Sequence, residues 1–126
     1  RLEQINQRMC DLLASEGVHL DGIYFCPHTP EDQCGCRKPR PGMIEQAAKE
    51  LGFVPDQCMV VGDRETDIEL GENVGATTFL VHTGHGAETA NNGLANPDYV
   101  VDNLLDAAHV ITRLISEHPD HVKPRP

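Results

Sequence analysis

The sequence contains no tryptophan, and aromatic residues make up only 4% of it. Basic residues are also scarce, since ten Lys and Arg stand against twenty Asp and Glu, for a formal net charge of −10. Binding to nucleic acids or anionic membranes depends on clustered cations, so this balance argues against both as partners. No apolar run approaches the roughly 18 residues that span a bilayer, and no signal-peptide layout is visible. We therefore expect a cytoplasmic location.

Hydrophobic residues make up 39% and charged residues 24% of the 126 positions, a balance typical of one folded domain. We expect that domain to cover residues 1–117 and residues 118–126, which are rich in proline, to form a disordered tail. The five cysteines are odd in number, which fits a reducing compartment better than a disulfide framework.

Four candidate metal ligands lie in one short loop, as Cys26-x-His28 followed by Cys34-x-Cys36. Zinc prefers thiolate and imidazole ligands in a closed tetrahedral set, which this loop can supply alone. The alternative to a zinc site is that this spacing arises by coincidence or that the cysteines form a pair of disulfides. A complete set leaves no open position for water, so a zinc ion here would be structural.

Apolar spacing and Gly or Pro punctuation predict alternating helices and strands. This alternation favours an α/β layer fold with a largely parallel sheet, in which ligands collect at the carboxyl ends of the strands. The predicted helices cover residues 2–16, 43–51, 65–74 and 104–115, the strands cover 20–25, 58–61, 77–81 and 99–101, and residues 82–97 form a loop.

Two acidic residues, Asp63 and Asp67, follow the apolar run at 58–61, which we expect to be a fully buried strand with Cys58 in the core. A carboxylate at the end of such a strand suits Mg²⁺, which takes oxygen ligands and often bridges to a substrate phosphate. The alternative is that Asp63 or Thr66 only caps the following helix. Asp67 could reach the same ion or orient its ligands.

Arg37 and Lys38 form a cationic pair between the metal loop and Pro39. Phosphoryl transfer needs fixed positive charge around the phosphoryl oxygens, and a rigid loop would supply it. The alternative is that both side chains lie on the surface, exposed to solvent, and contact no phosphate.

These motifs resemble the haloacid-dehalogenase (HAD) phosphatases of the D-glycero-D-manno-heptose-1,7-bisphosphate phosphatase type, with the histidinol-phosphate phosphatases next nearest. The resemblance runs from about residue 2 to residue 115. It is carried by Cys-Pro-His at 26–28, Cys-Gly-Cys-Arg-Lys-Pro at 34–39, Val-Gly-Asp-Arg-Glu-Thr-Asp at 61–67 and Val-His-Thr-Gly at 81–84.

The resemblance implies a Rossmann-like parallel sheet flanked by helices, an aspartyl-phosphate intermediate and Mg²⁺. By the same resemblance, Lys38 stabilises the nucleophile and the transferred phosphoryl group, and Asp63 is a Mg²⁺ ligand. Asp67 matches the second acid of that motif, and Arg37 and Arg64 match basic residues near the substrate's phosphates. The four loop ligands match a structural zinc site.

The family opens with a strand that carries Asp-x-Asp, yet no Asp-x-Asp occurs in this sequence. We therefore expect a C-terminal portion of such an enzyme, without the N-terminal strands and inactive alone. The expected substrate is a small phosphorylated metabolite, heptose 1,7-bisphosphate, with histidinol phosphate as the alternative. A non-enzymatic, zinc-stabilised binding module is the rival interpretation.

Overall fold

Three parallel strands and their connecting helices form the centre of the structure, a computed structural model that describes residues 1–26 and 34–117. His28 and the predicted tail at 118–126 lie outside the described residues. The helices are α1 (Leu2–Ser15), α2 (Gly42–Leu51), α3 (Glu65–Val74), α4 (Gly86–Asn92) and α5 (Leu104–Glu117). The strands are β1 (Met59–Gly62), β2 (Thr77–Val81) and β3 (Tyr99–Val101), and a short 3-10 helix covers Pro55–Gln57.

The sheet has the order β1-β2-β3, so β2 is its central strand. Val61 lies opposite Phe79, and Phe79 lies opposite Tyr99, with both pairs of strands parallel. Because parallel neighbours need a crossover connection, α3 and α4 each link one strand to the next. The predicted α/β layer fold is confirmed, and the carboxyl ends of the strands share one edge of the sheet.

The core lies on both faces of β2, whose residues are all buried. On one face the ring of Phe79 stacks on Tyr99, with centroids 4.8 Å apart. On the other face the methyl group of Thr78 lies against Gly71 of α3, where a side chain has no room. The buried cluster that joins β2 to α5 consists of Phe79, Val81, Ala107 and Leu114.

The expectation of a fully buried strand at residues 58–61 is wrong, because every residue of β1 is only half-buried. Among the described residues β1 has one neighbouring strand and therefore lies at an edge of the sheet. Cys58 precedes the strand, is half-buried, and its thiol donates to the carbonyl of Pro55 at 2.8 Å. The continuous apolar run thus predicted a parallel strand correctly, but it did not predict how far that strand is buried.

The predicted helices are confirmed with small shifts at their ends. Gly52 and Gly75 follow α2 and α3 in the left-handed conformation, with φ of 78° and 76°, where glycine is favoured. The helix α1 buries none of its residues, although its spacing is amphipathic. None of the helices in the described ranges combines the length and apolar character needed to cross a bilayer.

The strand predicted at 20–25 is absent from the described sheet. Its apolar side chains Leu20, Ile23 and Phe25 are 38% to 54% exposed. A strand is defined by hydrogen bonds to a neighbour, and no described strand pairs with this segment. Apolar composition alone therefore predicted a strand that tertiary pairing does not support.

The loop predicted at 82–97 is also wrong in part, because α4 occupies Gly86–Asn92. Gly86 lets two stretches of backbone lie close together, because a side chain at this position would collide with the carbonyl of Val81. Gly84 makes the preceding turn with a φ of 60°. The polar, glycine-rich composition therefore reflects a tight connection between β2 and α4.

Candidate active site

Asp63 follows β1 at the carboxyl edge of the sheet, where the turn after β2 holds it. Its Oδ2 accepts a hydrogen bond from the backbone N–H of His85 at 2.9 Å. The hydroxyl of Thr89 donates to the carbonyl of Asp63 at 2.8 Å. Gly84 lies so close to the carboxylate that a side chain would collide with it. These contacts fix both the backbone and the carboxylate of Asp63.

The electrostatic surroundings keep Asp63 ionised. The N–H of His85 is the main reason that the pKa of Asp63 lies below its usual value. Partial burial opposes this shift, whereas the nearby charge of Arg64 adds to it. An ionised carboxylate at a strand end is the type of oxygen ligand that Mg²⁺ prefers, so the donor chemistry fits this ion.

Lys38 and Asp67, which are 29 residues apart, form the ion pair that joins the metal loop to α3. The Nζ of Lys38 lies 2.5 Å from Oδ1 of Asp67. The second oxygen, Oδ2, accepts from the backbone N–H of Arg64 at 3.2 Å and so caps the first turn of α3. The Asp67 carboxylate lies against Gly62, where a side chain has no room. Both carboxylate oxygens therefore have partners inside the protein.

The segment that carries Arg37 and Lys38 is stiffened by hydrogen bonds around it. The N–H of Arg40 donates to the carbonyl of Arg37 at 2.9 Å, and the N–H of Gly42 donates to that of Gly35 at 2.9 Å. The side-chain amide of Asn73 in α3 donates to the carbonyl of Pro39 at 2.9 Å. The segment is thus tied both to itself and to α3.

Three of the predicted zinc ligands meet in space. The Sγ of Cys26 lies 3.3 Å from that of Cys34, and the thiol of Cys36 lies 2.9 Å from Cys26 and 3.4 Å from Cys34. Sulfurs bound 2.3 Å from a tetrahedral zinc lie about 3.8 Å apart. The three sulfurs would therefore move outward by less than about 1 Å to reach that spacing. This donor set fits zinc, while the predicted fourth ligand, His28, lies outside the described residues.

Hydrogen bonds within the cluster move the pKa values of two of its thiols in opposite directions. Burial raises the pKa of the Cys34 thiol, but hydrogen bonds from Cys26, Cys36 and two backbone N–H groups outweigh it and bring the pKa to about 6. The thiol of Cys36 donates to Cys26, which with burial raises its pKa to about 12. Of these two thiols, Cys34 therefore loses its proton more readily, as a metal ligand must. One of those N–H groups belongs to Arg37, so the cluster holds the backbone of the cationic segment.

A cleft of about 500 Å³ brings the predicted cations together. Arg37, Lys38 and Arg64 all line it, although the chain as a whole is acidic. Asp63 does not line the cleft, but it immediately precedes Arg64 in the chain. The other lining residues are Tyr24, Phe25, Cys26, Met43 and Thr66. The cleft can therefore offer fixed positive charge to a phosphate beside apolar contact surface.

His85 and Thr89 are site residues that sequence reasoning missed. His85 lies four residues after the end of β2, within the stretch predicted to be a loop. The signal that could have found it is its place after a parallel strand, at the same sheet edge as Asp63. The Nε2 of His85 lies 2.8 Å from Nη2 of Arg64.

A protein-family model described as HAD-hydrolase-like matches residues 35–107, more than half of the chain. The chain belongs to the HAD-hydrolase-like family. This confirms the resemblance to HAD phosphatases, and it agrees with the fold class that the alternation of helices and strands predicted.

The curated relatives of this HAD-hydrolase-like chain include two kinds of enzyme. The D-glycero-β-D-manno-heptose-1,7-bisphosphate 7-phosphatase of Haemophilus influenzae is 40% identical over an alignment of 120 residues, which covers 88% of this chain and 63% of that protein. The histidine biosynthesis bifunctional protein HisB of Legionella pneumophila is 41% identical over 86 residues, which is 68% of this chain and 24% of that protein. The chain thus spans less than two thirds of the relatives that it matches.

Solved structures agree with this assignment of the HAD-hydrolase-like chain. The D,D-heptose 1,7-bisphosphate phosphatase of B. bronchiseptica, in complex with magnesium and phosphate, has a TM-score of 0.79 and 34% identity. The match covers 92% of this chain and 64% of that one. A haloacid dehalogenase-like hydrolase of Streptococcus pneumoniae, with a TM-score of 0.52 and 24% identity, supports the fold alone.

Proposed function

We propose that this chain forms part of a phosphatase that hydrolyses a phosphate monoester of a small metabolite, with D-glycero-D-manno-heptose 1,7-bisphosphate as the substrate. The observation that carries the proposal is the cleft lined by Arg37, Lys38 and Arg64, in which Lys38 is paired with Asp67. The heptose bisphosphate phosphatases among the relatives support the choice of substrate.

Each cation has a role that follows from its contacts. Lys38, held by Asp67, would neutralise charge on the reacting phosphoryl group, while Arg37 and Arg64 would bind phosphate oxygens. Asp63 would hold Mg²⁺, which when bound polarises a phosphoryl oxygen. Asp67 was expected to bind Mg²⁺ or to orient the groups around it, and its two intramolecular partners support the orienting role.

The mechanism that we propose for the whole protein is attack by an aspartate carboxylate on phosphorus, followed by hydrolysis of the acyl phosphate. The attacking aspartate would come from an Asp-x-Asp strand, a motif that this sequence does not contain. The residues of this chain would bind and orient the phosphate and balance its charge during the transfer.

We further propose that Cys26, His28, Cys34 and Cys36 hold a structural zinc ion. The convergence of the three described thiols supports this, and none of the five cysteines forms a disulfide. Zinc would fix the backbone of Arg37 and Lys38 at the cleft. A reducing compartment suits such thiols, so we propose a cytoplasmic enzyme with one domain at 1–117 and a tail at 118–126.

Histidinol phosphate is the alternative substrate, supported by the match to HisB. A zinc-stabilised binding module without catalysis is the rival class. The sequence upstream of Arg1 in the gene discriminates between the classes: an in-frame Asp-x-Asp supports the phosphatase, and a start codon directly before Arg1 excludes it.

The decisive assay measures phosphate release from heptose 1,7-bisphosphate and from histidinol phosphate. We expect the full gene product to prefer the bisphosphate and to require Mg²⁺. We expect the variant Lys38→Met to hydrolyse it at least about 100-fold more slowly, which is the loss typical of removing one group that stabilises charge in the transition state. The variant Lys49→Met, at an exposed position of α2, is the matched control. We expect the 126-residue chain alone to release no phosphate. Preference for histidinol phosphate would overturn the substrate, and wild-type activity of Lys38→Met would overturn the site.

A further inference from the structure

The side chain of Arg64 lies at the border of two clefts. On one side is the 500 Å³ cleft that also contains Arg37 and Lys38. On the other side is a cleft of about 260 Å³, lined in part by Glu65 and Glu88. These two carboxylates make the smaller cleft unsuited to anions, so an anionic ligand of Arg64 belongs in the larger one.

The guanidinium of Arg64 has a partner at this border. Its Nη2 lies 2.8 Å from Nε2 of His85. A guanidinium only donates hydrogen bonds, so Nε2 must accept and the ring proton resides on Nδ1. Arg64 is otherwise an exposed residue with a long, rotamer-rich side chain.

The backbone of His85 is held by hydrogen bonds, whereas its side chain is exposed. Its N–H donates to Asp63, and its carbonyl accepts from the N–H of Thr89 at 3.0 Å. The preceding Gly84 has a positive φ and lies against Asp63. The ring of His85 therefore projects from a backbone held by hydrogen bonds, and the guanidinium of Arg64 lies within hydrogen-bond distance of it.

We propose that His85 is a positioning residue that holds the Arg64 guanidinium for the second anionic group of a substrate, while Lys38 serves the reacting phosphoryl group. The substrate class is a small metabolite with two anionic groups. This part of the inference rests on the proposed function, whereas the contact between Arg64 and His85 does not.

The first arm of the test measures the order of Arg64 in the zinc-loaded 126-residue chain. Its side-chain Nε–H resonance, identified by its loss in Arg64→Lys, reports the order parameter by NMR relaxation. We expect a fall to below about 0.6, the flexible range, in His85→Ala. In His85→Gln, whose amide oxygen can accept the same hydrogen bond, the order should largely return. The control is His82→Ala, because His82 contacts Asp102 instead.

The second arm measures binding of heptose 1,7-bisphosphate and heptose 7-phosphate, which differ by one phosphate, to the full gene product without Mg²⁺. His85→Ala should weaken binding of the bisphosphate by about three- to tenfold, because binding must then order the rotamer-rich side chain of Arg64. The monophosphate affinity should stay unchanged, and His85→Gln should recover most of the loss.

An unchanged order parameter in His85→Ala, or equal loss for both ligands, would overturn the positioning role. Failure of the full gene product to bind heptose 1,7-bisphosphate would count against the proposed function. In that case the order parameter of Arg64 would still decide the role of His85.

Discussion

Asp67 is the side chain on which the link between the metal loop and α3 depends. Its side chain is 12% exposed, and its two oxygens hold Lys38 and the N–H of Arg64. Replacing it with Ala removes the ion pair and the helix cap together. Replacing it with Asn removes the charge but keeps an oxygen for the N–H of Arg64. The two variants therefore separate the two contributions.

The expected magnitudes follow from these contacts. Loss of a helix cap costs about 1 kcal/mol. A hydrogen bond to a charged group contributes about 1.5–3 kcal/mol when shielded, but the side chain of Lys38 is 42% exposed and can be rehydrated. We therefore assign the pair about 1 kcal/mol, near the upper end for exposed pairs. Asp67→Ala should cost about 2 kcal/mol and Asp67→Asn about 1 kcal/mol.

The assay is urea unfolding of the zinc-loaded chain at fixed free zinc, because ligand binding shifts stability by mass action. The matched control is Asp11→Ala, since Asp11 accepts a hydrogen bond on the exposed face of α1. It should change stability by less than about 0.5 kcal/mol. A cost for Asp67→Ala no larger than for the control would refute the linking role. Equal costs for Asp67→Ala and Asp67→Asn would refute the capping role.

Three further predictions concern the metal loop and the Asp63 turn. Metal analysis should find one zinc per chain, and His28→Ala should lower the melting temperature more than Asp63→Ala, since structural zinc contributes folding free energy; absent zinc or equal melting temperatures would contradict this. Because the N–H of His85 and nearby charges lower the pKa of Asp63, its stabilisation is present above the usual Asp value of about 3.9 and lost as the pH falls below it. Asp63→Asn should therefore flatten the loss of stability between about pH 5 and pH 2 in urea titrations without divalent metal; an unchanged slope would be inconsistent with this. Gly52→Ala should cost about 1 kcal/mol for its left-handed backbone, and Gly84→Ala at least twice that, because its side chain would also collide with Asp63; equal costs in thermal unfolding would count against the collision.

Much of the fold followed from local patterns. The helices α2 and α3 were predictable because their apolar spacing and terminal glycines act within a few residues. The same holds for β2, where the run at 77–81 matches the structure. Prediction failed where partners decide the outcome: residues 20–25 pair with none of the described strands, and β1 lies at an edge of the described sheet.

The sequence by itself determined the chemistry of this protein: the thiol and imidazole ligand pattern, the cations beside it and the acids after a parallel strand. Those are properties of residue type and spacing, which act over a few residues. Tertiary structure decided which of them meet. It paired Lys38 with Asp67, tied Asp63 to the turn at His85, and turned an expected loop into α4. Such contacts depend on how the sheet aligns its carboxyl ends, which no local pattern specifies.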